Sequence, residues 1–148
     1  MHRASVNIRK LREGASLPVY SSEGAAGADL RACLDRETVI GPGETVMIPT
    51  GLAAEIPEGY AGLIYARSGM ASKRGLAPAN KVGVIDSDYR GEIMIALHNH
   101  SGEEAVISHG ERIAQIIFTP YLKAEFAERE ELEQTERGSG GFGSTGTK

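Results

Sequence analysis

The densest chemistry in the chain is Asp86-Ser87-Asp88-Tyr89. A carboxylate beside a bound substrate could take a proton from water. The Asp86/Asp88 pair could hold a cation, or the tetrad could be a solvated turn. If one aspartate is a general base, Tyr89 is a platform for a sugar or a base. Val84 and Ile85 precede the tetrad as a strand, and another strand starts at Glu92. The spacing predicts a β-hairpin, whose edge could read a flat base with its own N–H and C=O groups.

Four other segments carry polar chemistry. Ala25-Ala26-Gly27-Ala28-Asp29-Leu30-Arg31-Ala32 places one aspartate where small residues enter a strand, and an Asx-turn role competes with any functional one. Arg67-Ser68-Gly69 follows the apolar strand Leu63-Ile64-Tyr65. That order reads either as an ordinary basic turn or as an oxyanion cradle at a helix N-terminus. Gln115 sits inside the apolar run Ile113 to Phe118. A buried amide must find partners, so it is a structural hydrogen bonder or a ligand contact. The end of the chain, Arg137 to Gly146, combines an arginine, the lone Phe142, Gly143, and the hydroxyls of Ser144 and Thr145 among glycines. Glycines let backbone N–H groups approach an anion, and arginine matches phosphate oxygens. The segment is a solvated linker or an arm that closes over a nucleotide phosphate.

These groups need a scaffold. The 148 residues suit one domain with a real core. A net charge of −4 gives no bulk attraction to nucleic acid, so an anionic substrate must be held by local arginines or a metal. The single cysteine, Cys33, excludes an internal disulfide and suits a reducing compartment. It reads as a small buried apolar residue. No apolar stretch is long enough for a membrane span, and the N-terminus leads into no signal-peptide run. A cytoplasmic location is expected.

Short apolar runs between Gly, Pro, Asn and Asp predict strands over 45–48, 52–56, 60–66, 82–85, 92–97, 105–108 and 113–118. Ile93, Ile95 and Leu97 point one way, and Met94, Ala96 and His98 the other. Strands at this spacing favour an all-β sandwich or barrel. The segment Tyr121 to Glu136 is the only helix candidate, but it lacks an apolar stripe. It reads as a short helix or an extended connector to the arm. The expected division is a β domain with connector over 1–136 and a flexible arm over 137–148.

In set and order, five segments resemble the motifs of the trimeric deoxyuridine triphosphate nucleotidohydrolases, the dUTPases. They are Ala26 to Leu30, Arg67 to Lys73, Gly83 to Gly91, Gly110 to Gln115, and the arm from Arg137 to Gly146. The resemblance spans about Ser5 to Gly146, and its third and fifth motifs are the specific ones. Met70 stands where leucine is common in the family.

The resemblance implies a jelly-roll-like β domain in a homotrimer, with three sites at subunit interfaces. It implies hydrolysis of dUTP to dUMP and pyrophosphate with Mg²⁺, which keeps the nucleotide pool free of dUTP and supplies dUMP. Asp86 then activates the water that attacks the α-phosphorus. Arg67, Ser68, Gly69 and Gln115 hold phosphates, and Asp29 anchors the metal's shell through water. Arg137, Gly143, Ser144 and Thr145 close on the terminal phosphate, and Phe142 covers the base. Asn80, Val84, Ile85 and Met94 belong to the hairpin that reads uracil, and Tyr89 packs under the sugar. Neither nucleic acid nor a membrane is an expected partner. A dCTP deaminase or deaminase–dUTPase hybrid on the same fold is the near alternative. A non-catalytic nucleotide-binding module is the distant one.

Overall fold

Alternation in a single strand organises the molecule. Ile93 and Ile95 are 2% exposed and Leu97 is fully buried, while Met94, Ala96 and His98 face outward at half-buried or exposed positions. A strand with so apolar a face belongs in the middle of a sheet. The computed structural model, which describes residues 4–141, puts it there.

In chain order the elements are β1 (Asn7–Lys10), β2 (Val19–Tyr20), β3 (Ala28–Arg31), β4 (Thr38–Ile40), β5 (Thr45–Pro49), β6 (Leu52–Glu55), β7 (Tyr60–Tyr65), α1 (Ser68–Arg74), β8 (Leu76–Pro78), β9 (Gly83–Ile85), β10 (Met94–Asn99), β11 (Ala105–Ile107) and β12 (Arg112–Pro120). The chain is mostly β, as expected. Five strands form a sheet in the order β2-β3-β12-β7-β9, and three form another in the order β5-β10-β8. β1 pairs with β6 and β4 with β11. All these ladders are antiparallel, and most join strands distant in sequence. The core between them is aliphatic, with Leu30, Ile40, Ile48, Leu52, Leu76, Ile107 and Ile113 fully buried. Cys33 is buried beside them, as expected. Asn99, buried in the same core, spends its amide fully. Its Nδ2 donates to the carbonyls of Ile40 and Glu103 at 2.9 and 2.7 Å, and its Oδ1 accepts from the Ser101 N–H and hydroxyl.

One expectation changes, and one open alternative is resolved. The segment 80–94 is not a paired hairpin, because β9 pairs with β7 while β10 pairs with β5 and β8. The Ile93 N–H donates to the Leu52 carbonyl at 2.8 Å, and the Ile93 carbonyl accepts from the Thr50 N–H at 3.3 Å and hydroxyl at 2.6 Å. Burying Ile93, Ile95 and Leu97 commits the second strand to the other sheet. Of the two readings of Tyr121–Glu136, a short helix or a connector, the structure bears out the connector: no helix forms there and the segment is exposed. Leu122, Phe126 and Leu132 are 90%, 98% and 85% exposed. Without an apolar face to dock, so short a helix has little to stabilise it. The helix is α1 instead, held by buried Met70 and closed by left-handed Gly75 at its C-cap.

Candidate active site

The candidate residues gather at two places, at opposite ends of β7. The first is a pocket of about 260 Å³ lined by Met47, Val84, Ile85, Asp86, Tyr89, Glu92 and Met94. Val84 and Ile85 come from β9, the last strand of its sheet. Its outer edge therefore presents N–H and C=O groups with no neighbouring strand among the described residues. Asp86 is exposed and follows directly. The Tyr89 N–H donates to the Asp86 carbonyl at 3.2 Å, closing a turn whose two ends both line the pocket. The Tyr89 hydroxyl donates to the Glu92 carbonyl at 2.9 Å. The ring lies so close over Gly91 that a Cβ there would overlap it, so glycine at 91 is a steric requirement for this ring position. Met47 and Met94, on paired strands, supply an adaptable apolar wall. Asn80 does not line the pocket. It lies in the turn before β9, where its carbonyl accepts from the Val82 N–H at 2.7 Å.

The second place is polar and cationic. Gln115 on β12 stands opposite Asp29 on β3 and Tyr65 on β7. Its Nε2 donates to the Ala66 carbonyl at 2.9 Å, which fixes the start of the Arg67 turn. Asp29 Oδ1 accepts from Arg67 Nε at 2.6 Å, and Oδ2 accepts from Arg112 Nη1 at 3.2 Å. One carboxylate thus orients two guanidinium groups. Arg67 is also the N-cap of α1, Ser68 and Gly69 are exposed in its first turn, and no acidic residue occupies that turn. The first N–H groups of a helix lack intrahelical acceptors, so the corner is set up for an anion. Glu111 binds Arg74 at the far end of α1 and accepts from the Ser108 N–H at 3.1 Å, which ties the helix to the turn before β12.

The two places are separate within one chain. Ile85 stands opposite Gly62, so Asp86 leaves the ladder near Ala61. Arg67 lies beyond Tyr65, at the other end. The intervening stretch of β7 is roughly 13 Å long at ~3.3 Å per residue.

Among the described residues, no group of three His, Cys, Asp or Glu side chains could hold a metal ion. Asp29, the candidate outer-shell anchor, is engaged at both oxygens by arginine. A carboxylate has about four acceptor positions, so it retains capacity for a water. The donor set fits a magnesium ion that keeps its waters and takes phosphate oxygens, and does not fit a protein cage.

Arg137 lies in a turn, where its Nε donates to the Gly140 carbonyl at 2.8 Å. Phe142, Gly143, Ser144 and Thr145 lie outside the described residues. A larger open cleft of about 820 Å³ lies between α1 and residues 101–106. Its walls mix Lys73 and Arg74 with Glu103 and Glu104, and it holds none of the candidate residues, so the smaller pocket is the better match to the chemistry.

Sequence reasoning missed Met47, Glu92 and Arg112. Arg112 had a signal, since it lies in the same motif as Gln115. Met47 and Glu92 reach the pocket only through strand pairing and a turn.

The dUTPase family model matches residues 13–146. A deoxyuridine 5'-triphosphate nucleotidohydrolase of Desulfitobacterium hafniense (strain DSM 10664 / DCB-2) is 52% identical over 149 residues, covering 99% of each chain. That of Hydrogenobaculum sp. (strain Y04AAS1) is 52% identical over 141 residues, covering 95% of this chain and 97% of its own. Among solved structures, a mutant dUTPase of Staphylococcus bacteriophage 80alpha with dUpNHpp superposes with a TM-score of 0.88 at 30% identity, covering 97% of this chain and 99% of its own. A mutant dUTPase from phage phi11 of S. aureus, described as revealing the coordination of a structural Mg(II) ion, gives a TM-score of 0.79 at 29% identity, covering 88% and 100%. The motif residues, the edge-strand pocket and these similarities over nearly the full length agree: the chain belongs to the dUTPase family.

Proposed function

We propose that the protein hydrolyses dUTP to dUMP and pyrophosphate. The observation that carries this reading is the pocket beside the outer edge of β9, which has no neighbouring strand among the described residues, with Asp86 and Tyr89 in its lining. Uracil offers one N–H donor between two carbonyls. A rigid backbone edge can match that pattern and leave cytosine with unpaired groups, which are costly when buried. Thymine adds a methyl that a tight edge excludes. The Tyr89 ring, pinned by its hydroxyl and by Gly91, is the surface on which deoxyribose rests and against which a 2′-hydroxyl would clash.

Asp86 is the general base that takes a proton from the water attacking the α-phosphorus. Arg67, Ser68, Gly69 and Gln115 are the phosphate cradle, with Arg112 added by its shared carboxylate. Arg137 and the glycine-rich arm close on the terminal phosphate. Mg²⁺ is the expected cofactor, and it supplies charge neutralisation on the phosphates when bound. Asp29 holds the arginines and takes part in the metal's water shell.

The separation along β7 supports a shared site in a homotrimer of jelly-roll-like subunits. Neighbouring phosphorus atoms of a triphosphate are only a few ångströms apart, less than the strand between Asp86 and the cradle. A base pocket of one copy facing the cradle of another closes that gap. The exposed connector with Leu122, Phe126 and Leu132 is then the segment that crosses to a neighbour.

Incubation with dUTP and Mg²⁺ should release dUMP and pyrophosphate in equal amounts, and dCTP should release no ammonia. Ammonia from dCTP would favour the deaminase reading. Tight dUTP binding without turnover would favour a regulatory module.

A further inference from the structure

Glu92 is a charged side chain in the lining of the base pocket, yet the reaction assigns it no role. A free carboxylate there would repel a triphosphate. The structure neutralises it from outside the pocket. Arg12 donates through Nε to Glu92 Oε1 at 3.0 Å and through Nη2 to Oε2 at 3.1 Å, a two-pronged pair. The Gly51 N–H adds a third bond, to Oε1 at 2.9 Å. Only 18% of the Glu92 side chain is exposed, against 44% for Arg12.

Main chain also ties the Arg12 loop to the Gly51 turn. The Leu11 N–H donates to the Gly51 carbonyl at 2.7 Å. Gly51 has φ +70, and a Cβ would meet Ala15 at 2.7 Å and Cys33 at 3.0 Å, so this corner is tightly set. On its other side Glu92 receives the Tyr89 hydroxyl at its carbonyl, at 2.9 Å. One residue therefore joins the pocket's aromatic platform to a loop near the N-terminus, about 80 residues away in sequence.

We propose that the Arg12–Glu92 pair is a positioning device for sugar selection: by anchoring Glu92 it holds the Tyr89 ring where a 2′-hydroxyl is excluded. Neither residue touches the reacting atoms. The pair acts by fixing the carbonyl that Tyr89 leans on and by neutralising the Glu92 carboxylate. Hydrogen bonding to Glu92, and then its charge, raise the Arg12 pKa further above its ordinary value, so the guanidinium stays charged throughout the working range. This inference rests on the dUTP-hydrolase reading.

The test is the ratio of kcat/KM for dUTP to that for UTP, in the full-length protein and in Arg12→Ala, Glu92→Ala and the double variant. A ratio of two substrates on one preparation is independent of how much of the enzyme is folded, so a merely structural role would not move it. Each single variant should lower the ratio by roughly 10-fold, an ordinary size for pocket discrimination. The double variant should lower it no further than either single, because the two residues act as a unit. KM for dUTP should rise more than kcat falls. Arg12→Lys should restore only part of the ratio, since an ammonium cannot make the two-pronged contact. Should Glu92→Ala fail to fold, Glu92→Gln takes its place. It keeps an acceptor for Gly51 and loses the charge, and a lowered ratio is again expected. A wild-type ratio in folded Arg12→Ala overturns the inference and leaves the dUTPase reading intact. Failure of the unaltered protein to hydrolyse dUTP overturns both.

Discussion

At the residue scale, the proposed function gives Asp86 the chemistry and Tyr89 the selection. Asp86→Asn keeps the shape of the turn and removes the proton acceptor. Turnover should fall about 10²–10⁴-fold while nucleotide binding, followed by calorimetry or fluorescence, survives. Near-normal turnover would exclude Asp86 as the base. Tyr89→Ala removes the ring that rests on Gly91 and bonds Glu92. The preference for dUTP over UTP should narrow by about 1–3 kcal/mol, the usual worth of one pocket contact. An unchanged preference would mean that the sugar is selected elsewhere.

At the element scale, the sheets decide where each motif goes. β12 lies between β3 and β7, so Gln115 is set beside both Asp29 and the start of the Arg67 turn. β10 lies between β5 and β8, and just past its end His100 meets the His98 ring at a centroid distance of 4.3 Å. Desolvation first, then His98 and Lys81, lower the His100 pKa below the ordinary histidine value. The folded chain then resists the imidazolium more than the unfolded chain does. The stability this residue contributes is complete above the ordinary value of about 6.5 and is lost as pH falls through the lowered one. His100 is exposed, so solvent screening keeps the effect small. The drop in Tm between about pH 7.5 and about pH 5.5, a window set by histidine titration, should be smaller in His100→Gln. An equal or larger drop in the variant would contradict this.

At the scale of the whole molecule, the question is what the connector reaches. Among the described residues, the chain beyond β12 makes one backbone bond to the domain, Tyr121 N–H to the Gly59 carbonyl at 3.0 Å, and then runs exposed through Ser139. Truncation after Gln134 should therefore leave a folded domain with an unchanged far-UV spectrum. Turnover should collapse, because Arg137 and the hydroxyl–glycine segment are lost. Mixing separates the arrangements. An armless chain co-assembled with an Asp86→Asn chain that keeps its arm should regain activity if arm and base come from different subunits. Exchanged mixtures as inactive as the parents would mean that each arm serves its own Asp86.

The sequence by itself determined the elements whose signal is local. The seven strands expected from alternation and turn residues correspond to β5, β6, β7, β9, β10, β11 and β12, because a period of two and flanking glycines act within a few residues. The motifs were legible for the same reason. Short, partly exposed strands such as β2 and β4 were not, since two or three residues carry too little pattern. β8 includes Pro78 and is tolerated because it is an edge strand. Only the tertiary structure decided which strands meet. It sent β9 and β10 to different sheets, set Asp29 against two arginines, put Glu92 between Arg12 and Tyr89, and held the Asp86–Tyr89 pocket and the Arg67–Gln115 corner at opposite ends of β7. Each is a pairing across tens of residues, fixed by burying one apolar face against another rather than by any local preference of the chain.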